Sequence, residues 1–154
     1  MVCINESGGY GGKPTDLTGN YSLRRPDINS EAWRTYQLAE VKKLIDAGCT
    51  SFQQDDPVLN EYLTKWGGCY QPESKAQYTA YLAGETPSPA LWQAFQQKST
   101  TSYHQWLHTE ARAYAKARNI SVTLIFSANT WGGSTGWLTS YFDFFIAEAY
   151  STPT

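Results

Sequence analysis

The chain is 154 residues long, with 15% aromatic and only 17% charged residues and a formal net charge of −2. Its basic residues cluster no further than Arg24-Arg25 and Lys42-Lys43, which argues against a phosphate-tracking surface and so against nucleic acid as a partner. No apolar run approaches the ~18 residues of a membrane span, and Met1 to Glu6 lacks the basic start and apolar segment of a secretory signal; no membrane partner is expected and the compartment stays open.

Val2 to Asn5 reads as a short strand, followed by a glycine-rich loop from Gly8 to Gly12 and an irregular segment to Asn29. Ser30 is an N-cap candidate for a helix carrying Trp33, Gln37, Val41, Leu44 and Ile45 at helical spacing, with Gly48 as its stop. A strand over Thr50 to Gln54 runs into Asp55-Asp56-Pro57. The loop Trp66-Gly67-Gly68-Cys69-Tyr70 then leads to a short helix at about Glu73 to Leu82. A long helix follows from about Pro89 to Arg118, its apolar stripe made of Trp92, Phe95, Tyr103, Trp106, Leu107 and Tyr114. The clearest strand is Ser121 to Ala128. Val122, Leu124 and Phe126 make one of its faces; Thr123, Ile125, Ser127 and Asn129 make the other. A second glycine-rich loop and a helical piece around Leu138 precede a last strand, Phe142 to Ala149, with Glu148 near its end.

Short strands alternating with helices predict an α/β domain, a parallel sheet with crossover helices. A closed (β/α)8 barrel takes roughly 200 residues or more. With about four strands, the chain reads as a single domain, residues 1–154, that is either a small open sheet or about half of a barrel. It reads as opening inside a strand, an odd place for a natural domain to begin. Cys3, Cys49 and Cys69 are odd in number and unrelated in spacing, implying neither a disulfide framework nor a zinc site. Cys3 and Cys49 read as buried thiols in apolar strand contexts.

The end of the second strand carries the chemistry. Ligands of parallel α/β folds bind at the carboxyl ends of strands, and side chains alternate there. Phe52 is expected to face the helices, which turns Gln53 and Asp55 together to the opposite, polar side and Gln54 back toward the helix layer. Asp56, next to Pro57, reads as a loop-fixing residue. Acids at the ends of different strands can meet across the mouth of such a sheet; Asp55 and Glu148 are the candidate catalytic pair. Gln53, Asn129, Trp131, Tyr150 and Glu6 are candidates for substrate binding, because amides and carboxylates take sugar hydroxyls and aromatic rings stack on sugar faces. Trp66 and Tyr70 are rival platforms. Against this stands a plainer reading, in which most aromatics pack helices, Asp55 or Asp56 caps a loop or pairs with Arg24 or Arg25, and Asn129 is a turn residue.

The run Arg25-Pro26-Asp27-Ile28-Asn29, Glu31-Ala32-Trp33-Arg34, Lys43-Leu44-Ile45-Asp46-Ala47-Gly48 and the Asp55-Asp56-Pro57 strand end resembles the middle of a glycoside-hydrolase-like TIM barrel. Gly68-Cys69-Tyr70, Tyr78 and Tyr81-Leu82 are similar to the loop and helix after the acidic strand in that family. Phe126-Ser127-Ala128-Asn129 and Asp143 to Glu148 are similar to its next two strands. The resemblance implies a partial (β/α)8 barrel that hydrolyses O-glycosidic bonds of a poly- or oligosaccharide, without cofactor or metal. It also implies the remaining barrel strands of a longer parent chain as a structural partner. Where the family has Gly-x-Asp-Gly, this chain has Gly48-Cys49-Thr50-Ser51, and a further catalytic acid can lie on the later strands. The alternatives are a non-catalytic carbohydrate-binding barrel and an unrelated small α/β enzyme with an Asp55-Asp56 site.

Three motifs are set aside. Gly132-Gly133-Ser134-Thr135-Gly136 matches a nucleophile elbow, but its serine lies well past the strand and no histidine follows it. His104-Gln105-Trp106-Leu107-His108 places two histidines one turn apart, yet glutamine replaces the glutamate a zinc protease needs. Gly8 to Lys13 lacks phosphate-loop spacing, and Pro14 stands where Ser or Thr belongs.

Overall fold

The computed structural model describes residues 26–55, 57, 70–130 and 133–147. The expected first strand, the loop Gly8 to Gly12 and Cys3, Cys69 and Trp66 lie outside them. In chain order the elements are helix α1 (Glu31–Asp46), strand β1 (Ser51–Gln54), helices α2 (Pro72–Leu82) and α3 (Pro89–Ala117), strand β2 (Ile125–Thr130), a 3-10 helix (Gly133–Tyr141) and strand β3 (Phe144–Ala147). Among the described residues the fold is mixed α/β with a small parallel sheet of three strands. The chain divides into two compact units, one of Met1–Gln37 and Leu59–Tyr103, the other of Leu38–Val58 and His104–Thr154.

Helix α1 has Glu31 in its first turn and Lys43 in its last, each complementing the helix dipole at its own end. The helix stops where the sequence predicts. Gly48 takes φ 93°, a left-handed conformation that only glycine adopts without penalty. The Gly48 amide then bonds Ile45 O and the Cys49 amide bonds Leu44 O, each at 2.9 Å, a Schellman closure. This turn carries Cys49 to the surface, which corrects the expectation of a buried thiol. Leu44 is likewise 47% exposed, while Val41 and Ile45 are buried. Ser30 opens the helix through its carbonyl, which accepts from the Arg34 amide at 3.0 Å; its own hydroxyl makes no hydrogen bond among the described residues.

In the first unit, α2 packs against the early turns of α3 through aromatic rings. Tyr78 meets Trp92 edge-on at 4.6 Å and Phe95 at 5.3 Å, and Tyr81 lies 5.6 Å from Phe95. Tyr70 stacks on Trp92 at 4.9 Å, so this rival sugar platform spends a ring face on packing. The plainer reading of the aromatics holds here. Tyr103 is buried, and desolvation pushes its phenol up to about 12.

In the second unit, β2 lies between β1 and β3, parallel to both, with Phe52 paired to Phe126 and Asn129 to Ile146. Parallel neighbours need long crossovers, which α2 and α3 provide between β1 and β2. Helix α3 ends with Asn119 at φ 58°, where a short polar side chain tolerates the left-handed region. Beyond it the chain bends at Val122 and pairs in the sheet only from Ile125, because β1 begins opposite that residue. The expected strand start at Ser121 is therefore four residues too early, and Val122 is 56% exposed while Leu124 and Phe126, grouped with it on one face, are buried. The last strand likewise begins at Phe144 rather than Phe142. Phe142 instead packs against His104 and His108 at 4.9 and 5.1 Å.

Candidate functional site

The two faces of the three-stranded sheet differ in chemistry. On the helix side, Phe52 stacks on Phe126 at 5.4 Å, and Phe126 lies against the His108 ring at 3.9 Å. Arg112 stands over Phe126 at 5.1 Å from its centroid. It also forms an ion pair with Asp143 at 2.8 Å, and Asp143 accepts the Phe126 amide at 2.7 Å. The helix stripe is thus partly polar. His104 Nε2 lies 2.9 Å from Pro57 O and His108 Nδ1 lies 2.9 Å from Tyr141 O. Each nitrogen that faces a carbonyl must carry the proton, since a carbonyl only accepts. Desolvation pushes both imidazoles down to about 4, and His108 is pushed further by His104 beside it. Both histidines belong to packing. Among the described residues, no group of three or more His, Cys, Asp or Glu is placed to hold a metal ion.

The other face brings Gln53, Ser127 and Phe144 into one row across the sheet. The next row begins with Asp55, just past β1, and continues through Asn129 to Ile146. Asn129 Nδ2 donates a hydrogen bond to Asp55 Oδ1. Asn129 is only 2% exposed, while Asp55 is exposed. A buried amide therefore holds an accessible carboxylate at the carboxyl ends of two neighbouring parallel strands, where parallel folds collect their ligands. Burial makes the amide a firm support, because a buried donor that loses its acceptor costs about 1–3 kcal/mol.

Ser127 donates weakly to Phe52 O at 3.4 Å and tightens the pairing below this row. Phe144 and Ile146 are 47% and 40% exposed, giving the same face an apolar border on the β3 side. Asp55, Gln53 and Asn129 thus share the face that strand alternation assigned to them. Gln54 is half-buried on the opposite side, with Phe52. Glu148, Trp131, Tyr150, Glu6 and Asp56 lie outside the described residues, as do Arg24 and Arg25.

Two polar assemblies were not legible in the sequence. One is the Arg112–Asp143 pair. The other joins Asp27, Ser74 and Asn29, with Ser74 Oγ 2.9 Å from both the Asp27 carboxylate and the Asn29 amide nitrogen. Their members are 31 to 47 residues apart, and no local periodicity signals such a contact. No helix among the described residues is long and apolar enough to cross a membrane. Comparison of the chain with protein-family models, curated proteins and solved structures gives no match in any of the three.

Proposed function

We propose that this chain is part of a (β/α)8 glycoside-hydrolase-like protein that cleaves O-glycosidic bonds of an oligo- or polysaccharide, with Asp55 in the reaction. The observation that carries this reading is the Asn129–Asp55 hydrogen bond on the open face of the sheet. It fixes one carboxylate at the mouth of the parallel strands and leaves it accessible. In this reading Asp55 acts as acid/base or nucleophile, and Asn129 orients it and contacts a sugar hydroxyl. Gln53 adds a second amide. The exposed Phe144 and Ile146 supply apolar surface for a pyranose ring.

Hydrolysis needs a second carboxyl group. The strands β1 to β3 and residue 55 contain only Asp55 among Asp and Glu. Glu148, two positions beyond Ile146 and so on its face if strand alternation continues, is the proposed partner, and the remaining barrel strands are the other source. Trp131, Tyr150 and Glu6 are proposed as further substrate contacts. The lone carboxylate of the described strands is also what favours a second reading, a non-catalytic carbohydrate-binding barrel.

The test is turnover of a panel of aryl glycosides and polysaccharides by the full-length protein and by its Asp55→Asn and Glu148→Gln variants. Hydrolysis lost in both with sugar binding retained supports the enzyme. Sugar binding with no turnover in any form supports the binding protein. Undiminished turnover in Asp55→Asn removes Asp55 from the mechanism.

A further inference from the structure

The first unit contains a cleft of about 330 Å³ lined by α1, α2 and the middle of α3, together with Asn29. Among the described residues, two cations, Arg34 and Lys98, line it and no carboxylate does. Each cation is positioned by a ring. Arg34 stands over Tyr103 at 5.9 Å and donates through Nε to Ile28 O at 2.8 Å, while Lys98 stands over Tyr81 at 5.2 Å. Holding charged groups in place before a ligand arrives lowers the entropy lost on binding.

The orientation of Asn29 follows from hydrogen-bond logic. Asp27 Oδ1 already accepts the Asn29 amide at 2.9 Å, and the Ser74 hydroxyl donates to the same oxygen, also at 2.9 Å. Ser74 Oγ must then accept from Asn29 Nδ2, also at 2.9 Å. That relay leaves Asn29 Oδ1 as a buried acceptor without a partner among the described residues, on a side chain whose residue is only 6% exposed. Such a group calls for a donor. The hydroxyls of Ser99 and Ser102 share the lining and can donate or accept.

We propose that this cleft binds a hexuronic acid unit, a sugar ring bearing a carboxylate. Arg34 and Lys98 take the carboxylate through charge-assisted hydrogen bonds, and a ring hydroxyl donates to Asn29 Oδ1. An amino acid would satisfy the same acceptor, but its ammonium would meet two cations, while the Asp27 carboxylate that acts on Arg34 is wholly buried in its relay with Ser74. The volume lies at the small end of the about 300–1,000 Å³ common for ligand pockets, so one monosaccharide fits, either free or as the end of an oligosaccharide. The site is independent of Asp55.

The test is calorimetric titration of the full chain with glucuronate, galacturonate, trigalacturonate, glucose and inorganic phosphate. A uronate is expected to bind at least about tenfold more tightly than glucose, and Lys98→Gln to weaken it about fivefold or more. Ser102→Ala is expected to give a smaller loss; both substituted side chains are exposed, so both variants should fold. Tighter binding of trigalacturonate than of galacturonate assigns the site to a chain end, and equal binding assigns it to the free sugar acid. Absence of uronate binding overturns the proposal. So do equal binding of glucose and uronate, phosphate binding as tight as uronate, or a Lys98→Gln variant that binds unchanged. Asp55→Asn should leave uronate affinity intact, which separates failure of this site from failure of the hydrolase reading.

Discussion

The two faces of the same three strands answer to different demands. On the helix side polar groups are tied into the packing: Asp143 takes both Arg112 and the Phe126 amide, and each histidine meets a carbonyl through one ring nitrogen. On the open side Ile125, Phe144 and Ile146 stay between 39% and 47% exposed beside a carboxylate held by a buried amide. Apolar side chains grouped at a surface beside a carboxylate offer a face to a ligand. The contrast separates the residues that hold this sheet from those available to a ligand, and it can be broken from either side.

The largest expected effect lies on the open face. Asp55→Asn should lower glycoside turnover by roughly 10⁴-fold, about 5 kcal/mol in the barrier. The melting temperature should move by less than about 2 °C, because the new amide oxygen still accepts from Asn129. Steady-state kinetics and thermal melts check both halves of that statement.

The helix face should behave in the opposite way. Phe126→Ala removes a ring packed between Phe52 and His108 and should cost about 4 kcal/mol in urea unfolding. Phe144→Ala on the open face should cost less than about 1 kcal/mol. Equal losses would erase the distinction between the faces.

Acid should act on the helix face through its two histidines. His104 and His108 hold pKa values of about 4 in the folded protein against an ordinary 6.5. Between those values the unfolded chain binds more protons, so stability falls as pH drops from about 6.5 to about 4 and then levels off. Each ring contributes about 3 kcal/mol over that window. Denaturant midpoints measured from pH 7.5 to pH 3.5 should trace the fall, and His108→Gln should flatten it. A pH-independent midpoint would mean that the rings are not buried as described.

The smallest effect concerns α2 in the first unit. Ala83 sits at φ 48° at the end of that helix, a conformation that costs an L-residue roughly 1 kcal/mol. Ala83→Gly should raise stability by up to about 1 kcal/mol in chemical denaturation, less the entropy glycine adds to the unfolded chain. It should leave both candidate binding surfaces unchanged.

Local physics was legible in the residues themselves. Helical spacing from Trp33 to Ile45 and a glycine at position 48 define α1 without reference to any neighbour, and the apolar stripe from Trp92 to Tyr114 does the same for α3. Alternation placed Phe52 with the helices and Asp55 with Gln53 on the other face, because a strand offers only two directions. What depended on partners was decided in three dimensions. Residues 121–124 are unpaired because β1 starts opposite Ile125, and Cys49 is exposed because the Schellman turn lifts it there. The choice of Asn129 as the support of Asp55, the Arg112–Asp143 clamp and the Asp27–Ser74–Asn29 relay join residues 31 to 74 positions apart. Hydrogen bonds of that kind act over about 3 Å of space and leave no period in the sequence.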